Sequence, residues 1–239
     1  MKKGFTLFEI LITLGVIAVV VAVTIPISIK KYQQKTTVES LKVTYSILNQ
    51  VVNMSIVENG SVDGWDFTQD AQSFFEMYIM PYIKNIKLKN SNASYGSHLS
   101  WSNDYSLTNG TYIKFYLVSP SNFGTNPNHV MIKVDINGNK KPNILGKDQF
   151  AYFIFPVQSS FYNNGFGNCA RNVPRGGLYP DGYGYDRNVL VNDDWRGCAQ
   201  HNNSLAALST VGQYHGMVGT YCTSLIMLDG WKISKDYNW

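Results

Sequence analysis

The sequence predicts an α+β chain in which one long N-terminal helix carries a head built on an antiparallel β-sheet. Three observations lead there. Ile10 to Ile29 is a run of 20 residues without a charge. Downstream of it, apolar residues recur at helical spacing as far as residue 56. Further on, three β-rich runs are separated by proline-bearing loops.

The uncharged run is long enough to cross a bilayer as a helix at about 1.5 Å per residue. After Pro26 and the basic pair Lys30-Lys31, the segment TTVESLKVTYSILNQVVNMSIV spans residues 36–57. Leu41, Tyr45, Leu48, Val52 and Ile56 form a stripe there, with Val38 below and Ile47, Val51 and Met54 beside it. Lys42, Ser46, Asn49 and Asn53 face away, and Asn59-Gly60 is a stop signal. One helix is therefore expected from about residue 5 to 57. Thr68–Met80 reads as a second helix with Phe74, Phe75, Tyr78 and Ile79 on one face, ended by Pro81. Residues 89–110 read as a polar stretch. Thr111–Val118, His129–Ile136 and Gln149–Val157 read as strands of a meander laid against the long helix. Residues 158–220 are rich in Gly, Asn and Tyr with little periodicity, either loops or short strands. The end, CTSLIMLDGWKISKDYNW, is expected to be a short apolar helix or strand, a turn at Asp229-Gly230, and an aromatic tail.

Composition narrows the function. The chain has 239 residues, 44% apolar, 14% aromatic and 15% charged, which suits a packed core and excludes a disordered chain. Its net charge of +4 is scattered and includes Lys2 and Lys3, so no basic face marks a nucleic-acid partner, which is disfavoured without being removed. The four histidines lack H-E-x-x-H spacing, and no G-x-S-x-G, P-loop or paired-acid pattern is present, so no catalytic residue is assigned. The Gly165–Ala170 stretch mimics a dinucleotide fingerprint without the strand–turn–helix it needs.

The N-terminus is the informative segment. A secretory signal fits poorly, because its apolar stretch is normally about 7–15 residues long and ends at a small-x-small site. A plain anchor leaves Glu9 unexplained, since an acid in an apolar span is unfavourable without a partner. Lys2-Lys3-Gly4 followed by Phe5-Thr6-Leu7-Phe8-Glu9 resembles the leader of type IV prepilins and type II secretion pseudopilins. The resemblance implies that a prepilin peptidase cuts after Gly4 and methylates Phe5, and that Glu9 stays in the membrane as the assembly acid. Pro26 falls where that family commonly bends its helix. It further implies a pilin-like lollipop: a leader over 1–4, a membrane or filament-core helix half over 5–29, and a head over 30–239. The partners implied are the peptidase, copies of the chain or other pilins, an inner-membrane assembly platform and the membrane itself. The location implied is a single pass through the inner membrane, head outside the cytoplasm, with extraction into a pilus or pseudopilus. A membrane-tethered minor pilin acting as an adhesin or a DNA- or ligand-binding module is the alternative.

Two further features follow. The loop Asp135-Ile136-Asn137-Gly138 through Pro142-Asn143 to Gly146-Lys147-Asp148 resembles a loop common in pilin-like proteins, as does Asp229–Ile233. Some pseudopilins bind calcium in a comparable loop, and the oxygens of Asp135, Asn137, Asn143 and Asp148 suit a hard cation. Gly138 does not fall where an EF-hand needs it, and the other reading is an Asx-rich hairpin that bonds its own backbone. Of three cysteines in the exported half, one pair is expected to join. Cys198–Cys222 is favoured and Cys169–Cys198 is the alternative.

Overall fold

A computed structural model gives the fold, describing residues 6–95, 99–118, 129–138, 140–156, 176–193, 196–200, 219–237 and 239. Helix α1 runs unbroken over Leu7–Asn59. Its second half is amphipathic, but the buried stripe is rotated from the one apolarity predicts. Thr37, Leu41, Thr44, Leu48, Val51 and Ser55 fall at alternating 4-3 spacing and are all buried, beside Val38 and Val52. Tyr45, Ile47 and Ile56 lie at the edge of the contact, while Met54 is exposed. The Thr44 hydroxyl explains the rotation. It donates to the Ser40 carbonyl at 2.8 Å and meets the Thr111 hydroxyl at 3.2 Å. A small hydroxyl thus lets helix and sheet approach closely while staying satisfied.

Helix α2 spans Ala71–Tyr78, shorter than expected, because Asp70 caps it by accepting from the Gln72 and Ser73 amides. Pro81 sits in a 3-10 turn over Met80–Tyr82 rather than ending the helix outright. The sheet then follows. Its strands are β1 (Lys87–Asn90), β2 (Ser94–Tyr95), β3 (Leu99–Trp101), β4 (Asp104–Ser106), β5 (Tyr112–Val118), β6 (His129–Asp135), β7 (Gln149–Phe155) and β8 (Gly177–Pro180). Their order is β1-β4-β5-β6-β7-β8, with β3 on β5 and β2 on β3, every pairing antiparallel. The polar stretch 89–110 thus holds short strands that composition hid. Helices α3 (Arg187–Asn192) and α4 (Cys222–Leu228) complete the head.

Alternation on the central strands gives the sheet two faces. Ile113, Phe115, Ile132, Val134, Phe150, Tyr152 and Ile154 point to the main core with Leu41, Leu48, Phe74 and Phe75. Tyr45 stacks on Tyr152 at 5.7 Å and touches Trp231 at 5.9 Å, tying helix, sheet and C-terminal tail together. Tyr116, Met131, Ala151, Phe153 and Phe155 form a second cluster on the outer face, over which Leu145 folds. Covered on both faces, β7 is buried throughout.

Candidate functional site on the N-terminal helix

Helix α1 begins with a reciprocal cap. The Thr6 hydroxyl accepts the Glu9 amide at 3.2 Å. Glu9 Oε2 accepts the Thr6 amide at 2.8 Å and its hydroxyl at 3.0 Å. This capping box satisfies two of the amides a helix start leaves orphaned. Thr6 was not singled out from the sequence, although Thr6-Leu7-Phe8-Glu9 carries the T-x-x-E signature. Both contacts converge on one carboxylate oxygen, leaving Oε1 open among the described residues.

From Leu7 to Ile29 every side chain is exposed, including Leu7 at 74% and Phe8 at 70%. Those 23 residues span about 35 Å, slightly more than the roughly 30 Å hydrocarbon layer. This is a helix long and apolar enough to cross a membrane. Its threonine hydroxyls are satisfied locally: that of Thr13 donates to the Ile10 carbonyl and that of Thr24 to the Val20 carbonyl, both at 2.9 Å. Such back-bonding suits an apolar surround. Pro26 lies inside the helix without breaking it, and its missing N–H leaves the Ala22 carbonyl without its helical partner. Contact with the head starts at Thr37. Gly4 and Phe5 lie outside the described residues.

The loop after β6 brings Asp135, Asn137, Asn143 and Asp148 together but turns N–H donors on its carboxylates. Asp148 accepts from the Asn137 side-chain amide at 3.0 Å, the Asn143 amide at 2.8 Å and the Ile144 amide at 2.6 Å. Asp135 accepts from the Asn137 amide at 3.3 Å and the Gln149 side chain at 3.2 Å. With its amide oriented to suit its neighbours, Asn143 donates to Asp135 at 3.0 Å. Burial pushes the Asp135 carboxyl above its ordinary value. Gly138, at φ 63°, is required here: a Cβ would stand 2.6 Å from the Gly110 carbonyl oxygen. This arrangement favours the self-bonded hairpin over a cation cage. Among the described residues, no group of three His, Cys, Asp or Glu side chains is placed to hold a metal ion.

Cys198 and Cys222 are fully buried and joined by a disulfide, with Cα atoms 4.9 Å apart. Cys169 lies outside the described residues. A cluster that sequence inspection missed secures the C-terminus. Arg187 on α3 donates to Asp229 at 2.9 and 3.0 Å, to Asp236, and to the Ser234 hydroxyl at 2.9 Å. Residues 187, 229 and 236 are too far apart in sequence to signal this.

Among known proteins, one family matches, described as a family of unknown function (DUF6613), over residues 28–239. The match takes in the head and leaves out most of the exposed apolar half of α1. No curated protein and no solved structure matches.

Proposed function

The chain belongs to this family of unknown function, and from that premise we propose that it is a filament-forming structural subunit of the pilin class, serving a type IV pilus or a type II secretion pseudopilus. One observation carries the reading. A single helix is bare and apolar for its first 23 described helical residues, holds one acid at its tip, and continues without a break into the core of a head. A secretory signal has no use for that rigid continuity. A plain anchor has a use for Glu9 only as the helix cap, which leaves its second carboxylate oxygen without a role. In a polymer both acquire a role: apolar helix halves leave the bilayer to pack on one another, and the open carboxylate oxygen receives the α-amino group of a neighbour's Phe5. Such a desolvated pair acts chiefly as a register device. The chain itself performs no chemistry in this reading; a prepilin peptidase cuts after Gly4 and methylates Phe5.

Intact mass and N-terminal sequencing of membrane-extracted protein test it. The mature chain should begin at methylated Phe5, having lost Lys2 and Lys3, so that the formal charge falls from +4 to +2. Cleavage near Thr24 would overturn the reading. The second reading, a tethered ligand-binding module, is favoured by a polar cavity on the outer face of the head.

A further inference from the structure

The outer face of the sheet carries a cavity of about 230 Å³, lined by residues of β1, β4, β5, β6 and β7. Strand register explains how it forms. Tyr112, Lys114 and Tyr116 alternate outward on β5, and Lys133 and Asp135 do so on β6. Tyr112 stands opposite Asp135, and Lys114 opposite Lys133. Two lysines directly across from each other repel unless anions compensate them. Lys114 is compensated: its Nζ lies 2.9 Å from Asp104, whose other oxygen accepts from Asn90 and Asn92. Lys133 is not. No carboxylate among the described residues lies within salt-bridge distance of it, and Asp135 instead accepts from Gln149 and the Asn137 amide. Of the two lysines lining the cavity, Lys133 is thus the one whose ammonium has no direct ionic contact among the described residues.

We infer that this cavity binds a small hydroxylated monocarboxylate of the hexuronic-acid type, its carboxylate on Lys133 and its hydroxyls on Asp104, Asn90 and Gln149. The chemistry selects that class over others. The wall holds two carboxylates as well as two lysines, so a dianion such as a phosphate would meet Asp104 and Asp135 together. A neutral sugar would leave Lys133 without its counter-charge. The volume falls below the roughly 300 Å³ at which drug-sized sites begin, which fits a single sugar ring. The half-buried Tyr112 adds an aromatic wall. The inference is independent of whether the chain polymerises.

Calorimetric titration of the full chain in detergent micelles tests it, with D-glucuronate, D-glucose and D-glucose 6-phosphate as probes. Glucuronate should bind saturably, about tenfold or more tighter than either other sugar, which corresponds to 1.4 kcal/mol or more. Lys133→Met should lower glucuronate affinity by about the same factor while leaving the melting temperature equal or higher, because a thioether is buried more readily than an unpaired cation. Lys133→Arg should retain binding. Absence of saturable glucuronate binding, equal binding of glucose, or undiminished binding by a folded Lys133→Met chain would overturn the inference. Should Lys133→Met not fold, the order of the three probes on the wild-type chain decides alone, and glucose 6-phosphate binding tightest would overturn it too.

Discussion

Removing the disulfide should cost the head a large part of its stability, by an amount the chain geometry sets. Cys198 and Cys222 are 24 residues apart. Closing a loop of that length removes about 3.5 kcal/mol of entropy from the unfolded chain at 25 °C. In a domain of this size each kcal/mol moves the melting temperature by about 2–4 °C, so Cys198→Ala with Cys222→Ala should lower it by about 7–14 °C. The bridge also matters locally. It joins the turn after α3 to the first residue of α4, whose residues Cys222 to Ile226 are all buried. Arg187 makes a second tie between the same two parts, through Asp229 just past α4 and Asp236 in the tail. With the bridge intact, Arg187→Ala leaves α4 tethered; without it, α4 loses both restraints. A double-mutant cycle should therefore give a coupling above about 0.5 kcal/mol, as expected for sites sharing one element. The assay is thermal unfolding of the full chain in detergent, oxidised and reduced, beside the double-alanine variant. A fall of less than about 3 °C, or no response to reductant, would refute the loop-entropy reasoning.

Three other predictions are independent of the bridge. Glu9→Gln preserves an acceptor for the capping box but removes the charge, whereas Thr6→Val breaks the box and keeps the charge. Both Glu9→Gln and Glu9→Leu should reduce sheared surface filament relative to membrane-retained mature protein by at least about tenfold, with Thr6→Val near wild type; the reverse pattern would make Glu9 a helix cap and nothing more. Hydrogen bonds from Arg187 hold the Asp229 and Asp236 carboxyls below their ordinary values. Depressed carboxyls stabilise the fold above the unfolded value near 3.9, an effect lost as pH falls through the folded values. Wild type should thus exceed Arg187→Ala by about 1 kcal/mol at pH 7, a figure already discounted for exposure, and the gap should close in acid denaturation series below about pH 3. Asp148→Ala strands three N–H donors and should destabilise by about 1–3 kcal/mol. Millimolar chelator should leave the wild-type melting temperature unchanged, and a shift would show that the loop holds calcium after all.

The sequence determined the features that depend on local order. An uncharged run of 20 residues and a helical stripe announce one long helix, because a 3.6-residue period is a property of neighbours along the chain. The central strands are legible for the same reason, since β-branched and aromatic runs between turns leave little choice. The strands within 87–106 were not legible. They are two to four residues long, mostly polar, and exist because β5 offers an edge to pair with. Only the tertiary structure decided that Thr37, Thr44 and Ser55 sit in the buried stripe; the Thr44 hydroxyl is satisfied within the helix and across the helix–sheet contact, and that of Ser55 accepts from the Asn59 side chain. It also set Lys114 beside Lys133, two outward residues that no spacing rule joins until strand register places them opposite. The Arg187 clasp likewise needed α3 and the tail to meet in space. Hydrophobic periodicity records which face of an element is buried; which polar atoms then find one another depends on distances that only the folded chain creates.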